Sequence, residues 1–247
     1  MSIKFFKNLK VARTVLITFG IITFTGCKKP GITFDNFEAT NVAVIDYWND
    51  GDDIRLDFSL DQSKKLHTGQ LTIGRVLDYI TVNSGKRKAN FINSDDSSSV
   101  YSGDVDLVSK KVYSLFLTGT KDHPESVLTE DDIATEVPAD NYRLRVANMN
   151  TDAAGKFNFL IANKDAPLAT AVSLESAVGY KTVTAFKQFN EVRYKYYDLW
   201  AVNPGVDTLV ARNLLLVGGR SYSLTVYGQK GTPYGSNIGF ITNVLSY

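Results

Sequence analysis

Leu107-Val108-Ser109-Lys110-Lys111-Val112-Tyr113-Ser114-Leu115-Phe116-Leu117-Thr118-Gly119 returns 109 positions later as Leu216-Val217-Gly218-Gly219-Arg220-Ser221-Tyr222-Ser223-Leu224-Thr225-Val226-Tyr227-Gly228. Six of the thirteen positions are identical, and Lys111/Arg220 and Leu117/Val226 are conservative. At an offset of 101, Tyr79-Ile80-Thr81-Val82 falls on Tyr180-Lys181-Thr182-Val183, and Leu56, Phe58 and Leu60 fall on Phe157, Phe159 and Ile161. A fixed period of this length marks one supersecondary unit written twice. The growth of the offset by eight places an insertion in the second copy around Tyr197 to Leu209.

Both copies read as β. Tyr142, Leu144 and Val146 alternate with Arg143 and Arg145, Phe157 and Phe159 with Lys156 and Asn158, and Val192, Tyr194 and Tyr196 with Arg193 and Lys195. Alternation of period two predicts strands with one buried and one wet face. Turn chemistry separates the runs at Asn49-Asp50-Gly51-Asp52, Asn83-Ser84-Gly85 and Asn203-Pro204-Gly205, with Gly218-Gly219 read as a hairpin turn. All six prolines fall between the strand candidates, where a missing N–H removes no ladder bond. Short strands at this spacing predict an all-β chain of two tandem immunoglobulin-like Greek-key β-sandwich modules. The join at 121–140, rich in acids, Thr and Pro, reads as a solvated linker or a short helical turn.

The first 26 residues carry Lys4, Lys7, Lys10 and Arg13 and no acid, then an apolar run from Thr14 to Phe24. Eleven residues are too few for a bilayer core, which needs ~20. The order reads as a signal peptide. Thr25 and Gly26 precede Cys27, the only cysteine. Apolar stretch, Thr-Gly, Cys resembles a bacterial lipobox, relaxed by Phe24 toward the Bacteroidetes kind, and implies cleavage before Cys27 and acylation of its thiol. Each acyl chain would add ~0.8 kcal/mol of anchoring per buried methylene. The expected division is then 1–26 lipoprotein signal peptide, 27–40 membrane tether, 41–120 module one, 121–140 linker and 141–247 module two. Attachment at the outer membrane is expected. Lys28-Lys29-Pro30-Gly31 lacks the acidic residues of surface-exported lipoproteins, so the periplasmic and cell-surface faces both stay open.

Charge and composition exclude several functions. The 247 residues hold 27 Lys+Arg, 26 Asp+Glu and two His. Removing the four basic residues of the leader leaves 23 basic against 26 acidic side chains, a net charge of −3. A nucleic-acid binder would show a basic face, so no nucleic-acid partner is expected. A single Cys rules out an intramolecular disulfide framework and a multi-cysteine zinc site. No cofactor or metal is predicted.

Leu144-Arg145-Val146-Ala147-Asn148-Met149-Asn150-Thr151-Asp152-Ala153 resembles the opening strand and turn of the domain of unknown function 4397 family. Gly219 to Gly228 resembles its closing strand, and Ala177-Val178-Gly179-Tyr180-Lys181-Thr182-Val183 its middle segment. The resemblance covers about 141–230. Module one joins it only through the internal repeat, because Asp46-Tyr47-Trp48-Asn49-Asp50 departs from the opening motif. It implies a tandem sandwich lipoprotein of the bacterial envelope and carries over no catalytic residue.

No constellation of residues points to catalysis. His67 and His123 lie in different segments with no nucleophile-elbow signal near them, and read as surface histidines. Asp50, Asp52 and Asp53, then Asp95 and Asp96, then Glu130, Asp131 and Asp132 form acidic clusters. Calcium takes about six to eight oxygen ligands from a spaced loop. None of the three clusters has that spacing, and they read as solvated turns. The remaining candidates are aromatic. In Tyr194-Lys195-Tyr196-Tyr197-Asp198-Leu199-Trp200, if Tyr194 and Tyr196 face the core, Tyr197 and Trp200 are left to stack on a ligand; the other reading is that these rings fill the core or the module interface. The chain therefore reads as a non-enzymatic, lipid-anchored envelope protein, a structural, adhesion or protein-interaction module. Its partners are the membrane through acylated Cys27 and an envelope protein or a glycan. The alternative is a glycan-binding accessory lipoprotein of a polysaccharide-uptake system.

Overall fold

The computed structural model describes residues 38–49, 54–61, 67–133, 136–152, 155–190, 194–233 and 235–243. Cys27, the leader and tether up to residue 37, and the Asp50, Asp52 and Asp53 turn lie outside them. The first half of the chain forms β1 (Ala39–Asp46), β2 (Leu56–Leu60), β3 (His67–Leu71), β4 (Val76–Asn83), β5 (Gly85–Asn93), β6 (Ser99–Leu107), β7 (Val112–Thr120) and β8 (His123–Glu130). The second half forms β9 (Asn141–Asn150), β10 (Phe157–Asn163), β11 (Val172–Val178), β12 (Thr182–Val183), β13 (Lys187–Asn190), β14 (Tyr194–Asn203), β15 (Asp207–Val217), β16 (Arg220–Gly228) and β17 (Ser236–Asn243). A single 3-10 turn, Leu168–Thr170, precedes β11.

The halves share one topology. Sheets β4-β1-β7-β8 and β3-β2-β5-β6 make the first sandwich. In the second, β12-β9-β16-β17 faces β11-β10-β14-β15, with β13 continuing β12 along β9. In each half the first strand pairs in parallel with the seventh or its equivalent: Val42 opposite Tyr113, Leu144 opposite Tyr222. The repeated stretch supplies that closing strand twice. In both copies the tyrosine hydroxyl accepts the backbone N–H five residues upstream, Val108 to Tyr113 at 3.2 Å and Val217 to Tyr222 at 2.9 Å. This fixes the entry into the strand as the tyrosine corner of immunoglobulin-like sandwiches does.

Each sandwich has its own core. Val42, Phe58, Phe91 and Leu115 lie in the first, and Leu144, Phe159, Leu199 and Leu224 in the second. A third cluster joins the two halves: Ala43, Ile45, Tyr47 and Phe116 against Ala147, Met149 and Ile241. Strands β1, β7, β9 and β16 are therefore covered on both faces, and the wet face expected for Arg143 and Arg145 does not exist. Arg145 is 2% exposed and Arg143 8%. Around the large side chains of this cluster, the outward residues Ala43, Ser114, Thr118, Ala147, Ser223 and Thr225 are small or hydrogen-bonding. They let two sheets approach closely and satisfy one another.

Three other expectations change. The stretch 121–140 is not a free linker: β8 pairs antiparallel with β7 from Tyr113–Glu130 to Thr120–His123. Pro124 lies inside β8, where it is tolerated because β8 is an edge strand. Gly218-Gly219 is a crossover from one sheet to the other, since β15 pairs with β14 while β16 pairs with β9 and β17.

The insertion is also misplaced by sequence matching. Leu56 pairs with Leu71 as Phe157 pairs with Val178, so an offset of 101 at β2/β10 has become 107 at β3/β11. Most of the extra length thus enters between β10 and β11, not around 197–209. The match of Tyr79 to Tyr180 is coincidental, because Tyr79 lies in β4 and Tyr180 in the turn before β12.

Gly119 shows how tightly the β7–β8 turn is drawn. Its φ is +98°, and a Cβ there would collide with the His123 carbonyl oxygen. Gly119→Ala is expected to cost more than about 1 kcal/mol of unfolding free energy. Denaturant titration with an unchanged midpoint would contradict this.

Candidate functional site

Two features stand out above the general architecture: the polar joint between the sandwiches and the outer face of the β14–β15 sheet. At the joint, Arg145 donates from Nη1 to Asp131 Oδ1 at 2.5 Å, from Nε to Ser223 Oγ at 2.7 Å and from Nη2 to Ser114 Oγ at 3.0 Å. Asp131 Oδ2 accepts from Ser114 Oγ and from the Tyr79 hydroxyl, both at 2.6 Å. Asn243 closes the network, donating to the Tyr79 hydroxyl at 2.9 Å and accepting from Ser223 at 2.7 Å. The Arg145 guanidinium also lies 4.5 Å from the Phe186 ring centre. Asp131, expected in a solvated acidic turn, is instead a buried counter-ion with a side chain 0% exposed. Its former neighbours Glu130 and Asp132 are exposed, as are Asp95 and Asp96.

Further contacts surround this network. Tyr47 shares a 2.6 Å hydrogen bond with Thr225 and stacks on Tyr227 at 4.3 Å between centroids. Thr118 donates to the Met149 carbonyl at 3.0 Å. At the rim, Glu125 accepts from Lys181 Nζ at 2.6 Å and from the Tyr180 hydroxyl at 2.8 Å. The Lys181 ammonium, and then the Tyr180 hydroxyl, hold the Glu125 carboxyl below the ordinary range. Burial raises the Tyr47 hydroxyl above the ordinary phenol value. Burial, reinforced by Asp131, does the same for Tyr79, and burial with Glu125 for Tyr180.

The two directions predict the pH response of the fold. Tyrosines whose folded values are raised contribute stability fully present below the unfolded value of 10.0 and lost above it. Glu125, depressed when folded, contributes above the unfolded value of 4.5 and loses that contribution as pH falls below it. The acid effect is the smaller, because the Lys181–Glu125 pair is 41% and 39% exposed. Thermal unfolding from pH 3 to 11.5 checks both. A melting temperature level across pH 10 to 11.5 would contradict the tyrosine assignment.

Of the two readings of the aromatic stretch, the one that buries Tyr197 and Trp200 holds, and the stacking platform does not form. Tyr197 and Trp200 are each 4% exposed, whereas Tyr194 and Tyr196 are 69% and 51% exposed. β14 runs without interruption, so Tyr197, Leu199 and Ala201 point into the core and Tyr194, Tyr196, Asp198 and Trp200 point outward. The irregularity lies on β15, where Arg212 and Asn213 both fit between the partners of Tyr197 and Leu199. Asn213 takes a φ of 58°. Asp198 organises this bulge, accepting from Asn213 N at 3.0 Å, Asp165 N at 3.2 Å and Arg212 Nη1 at 2.8 Å. Burial alone would raise the Asp198 carboxyl, but these donors outweigh it and hold it below the ordinary range. Trp200 points outward yet is covered, with the Arg212 guanidinium 5.9 Å from its ring.

His67 lies in β3 and His123 on the exposed edge strand β8, so the fold does not bring them into one strand pair. Among the described residues, no group of three or more His, Cys, Asp or Glu is placed to hold a metal ion. A cleft of about 430 Å³ is lined by Asp61, Lys86, Arg87, Lys88, Asp104 and Asp106, with Val105. Its charges are paired across strands, as in the 2.9 Å Arg87–Asp61 contact. No helix among the described residues is long and apolar enough to cross a membrane.

These features define an all-β protein of two joined sandwiches with a displayed aromatic face. Residues 40–159 match the family described as "Domain of unknown function (DUF4397)". The match covers the first sandwich and runs on through β9 into β10. The resemblance read from the sequence lay instead on 141–230; the shared topology of the two halves accounts for the shift. No curated protein matches the chain.

Among solved structures, the tip fimbrial protein Mfa3 of Porphyromonas gingivalis is 8% identical, covering 84% of this chain and 100% of that one at a TM-score of 0.30. A CBM26 module of Eubacterium rectale Amy13K, solved with maltoheptaose, is 11% identical over 84% and 98% at 0.26. A candidate cell adhesion protein of Parabacteroides distasonis is 10% identical over 83% and 99% at 0.22. At these scores none of them transfers a ligand or an activity to this chain.

Proposed function

We propose that the protein is a non-enzymatic interaction module of the bacterial envelope, held at the outer membrane through acylated Cys27. The observation that carries this reading is the joint. Polar residues that could have formed a reactive site, Asp131, Tyr79, Ser114, Ser223 and Arg145, are consumed in hydrogen-bonding one another between two sandwiches. Such a joint suits a stiff body that presents a surface away from its anchor. The glycan-binding alternative rested on location and on Tyr197 and Trp200, and the burial of these two rings leaves it only the first support.

Cell fractionation tests the anchor. Cys27→Ser is expected to move the protein from the membrane to the soluble fraction, and full membrane retention would overturn the lipid-anchor reading. Protease shaving of intact cells, with a periplasmic control, then assigns the face. Loss of the protein with the control intact places the sandwiches outside, where adhesion is the role. Protection assigns them a structural or assembly role in the periplasm.

A further inference from the structure

The two sandwiches allow an internal comparison. Phe58 pairs with Phe91 as Phe159 pairs with Ala201, so β5 and β14 correspond position by position, and β6 and β15 take the same place beside them, with one extra residue in β15 at the Arg212-Asn213 bulge. On the outer face of the first sandwich the cross-strand pairs are polar: Lys86 with Asp106, Lys88 with Asp104, Asn90 with Ser102. On the same face of the second sandwich they are Tyr196 with Leu215 and Trp200 with Val210, and Tyr194 pairs with Val217 one step further. Tyr194, Tyr196, Leu215 and Val210 are 69%, 51%, 38% and 38% exposed. The first sandwich shows that this fold needs no apolar side chains there. Exposing them has a solubility cost and no structural return.

We propose that the outer face of β14 and β15, centred on Tyr196 and Leu215, is a docking surface for another protein whose contact patch is apolar and edged by carboxylates. This inference rests on the interaction-module reading above and gives it a surface. Two cations border the patch. Lys164 Nζ lies 6.0 Å from the Tyr196 ring, and Arg212, its side chain 53% exposed, is held in place by Asp198. Tyrosine and aliphatic groups inside a charged rim, with arginine among them, form the composition of protein interfaces. A sugar would stack on the tyrosine rings but would gain little from Leu215 and Val210. The mode of docking is also set. β15 is an open edge of 11 residues, yet the Arg212-Asn213 bulge breaks its line and opposes addition of a further strand. The partner therefore meets side chains on the face.

The test places a photo-crosslinking phenylalanine analogue at position 196 or 215 of the full-length chain in cells, and at position 86 as the control on the equivalent face. Capture of one protein species from 196 and 215, and not from 86, is expected. That protein, purified, should bind the full-length chain with an affinity that falls about tenfold or more on Tyr196→Ala. Binding should also weaken on Lys164→Glu and with rising salt. Circular dichroism confirms that the variants fold. Capture of glycan, lipid or a second copy of this chain would overturn the proposal, as would the same species from position 86, no capture, or an affinity indifferent to Tyr196→Ala. Failure of the Cys27→Ser fractionation would instead strike the envelope reading, leaving the binding of the purified proteins as measured.

Discussion

Arg145→Met is expected to lower the unfolding free energy by about 3–5 kcal/mol, because it leaves an uncompensated carboxylate inside the protein. Asp131 is fully buried and its Oδ1 is met by Arg145, while Oδ2 has only the neutral Ser114 and Tyr79 hydroxyls. Removing the guanidinium also takes one donor each from Ser223 and Ser114, which keep their own bonds to Asn243 and Asp131. The pair itself need not be a large net contributor, since desolvating two charges offsets most of their attraction. Arg145→Met combined with Asp131→Leu should therefore be milder than Arg145→Met alone. Urea unfolding of the three proteins decides this. A single variant within about 1 kcal/mol of the parent, or a double variant worse than the single, would contradict the buried joint.

The second large effect concerns β14. Tyr197→Ala and Trp200→Ala are each expected to cost about 3–5 kcal/mol, the range for truncating large buried aromatic side chains. Tyr197 packs edge-on to Tyr142 at 6.0 Å, so its loss opens the second core. Tyr194→Ala and Tyr196→Ala should stay within about 0.5 kcal/mol, as exposed positions do. Tyr197 against Tyr194 and Tyr196, measured by thermal and chemical unfolding, reports the parity of the strand, and Trp200, at the outward parity, reports how closely it is covered. The opposite ranking would restore the expectation that Tyr194 and Tyr196 face inward.

That parity marks a boundary of what the sequence discloses. The repeat, the strands and the turn chemistry were legible because they are local: alternation, Asn-Pro-Gly, and a tyrosine five residues beyond Val108 and Val217. The side on which β14 buries its aromatics was not. Tyr194 to Trp200 offers bulky residues at both parities, and only the register against β10 and β15 chooses between them. Asp198 at the outward parity, caught between Asn213, Asp165 and Arg212, was the available signal, but its partners are 14 to 33 residues away.

The joint was hidden for a related reason. Arg145 in a strand and Asp131 in an acidic run each look solvated alone. Their pairing depends on two sheets meeting through Ala43, Phe116, Ala147 and Met149. The small outward residues of β7 and β16, Ser114, Thr118, Ser223 and Thr225, were the clue that these faces are covered. The linker reading of 121–140 failed because an edge strand need not be apolar, and β8 is polar enough to pass for a loop.

The parallel partnership of first and seventh strands constrains the order of assembly. Asn41 waits for Val112, and Tyr142 for Arg220, so neither sandwich can close its inner sheet until nearly all of its own chain is available. Loop-closure entropy must be met before these distant contacts give any return, which makes such topologies slow folders. The two closures are also linked, because Arg145 reaches both Asp131 from the first half and Ser223 from the end of the second. A chain threaded across a membrane from its N-terminus would carry β1 exposed while β2 to β6 emerge, and would bury Arg145 only after β16 has followed. Ser223 and Asn243 arrive last, so the C-terminal strands act as the latch on a process begun some hundred residues earlier.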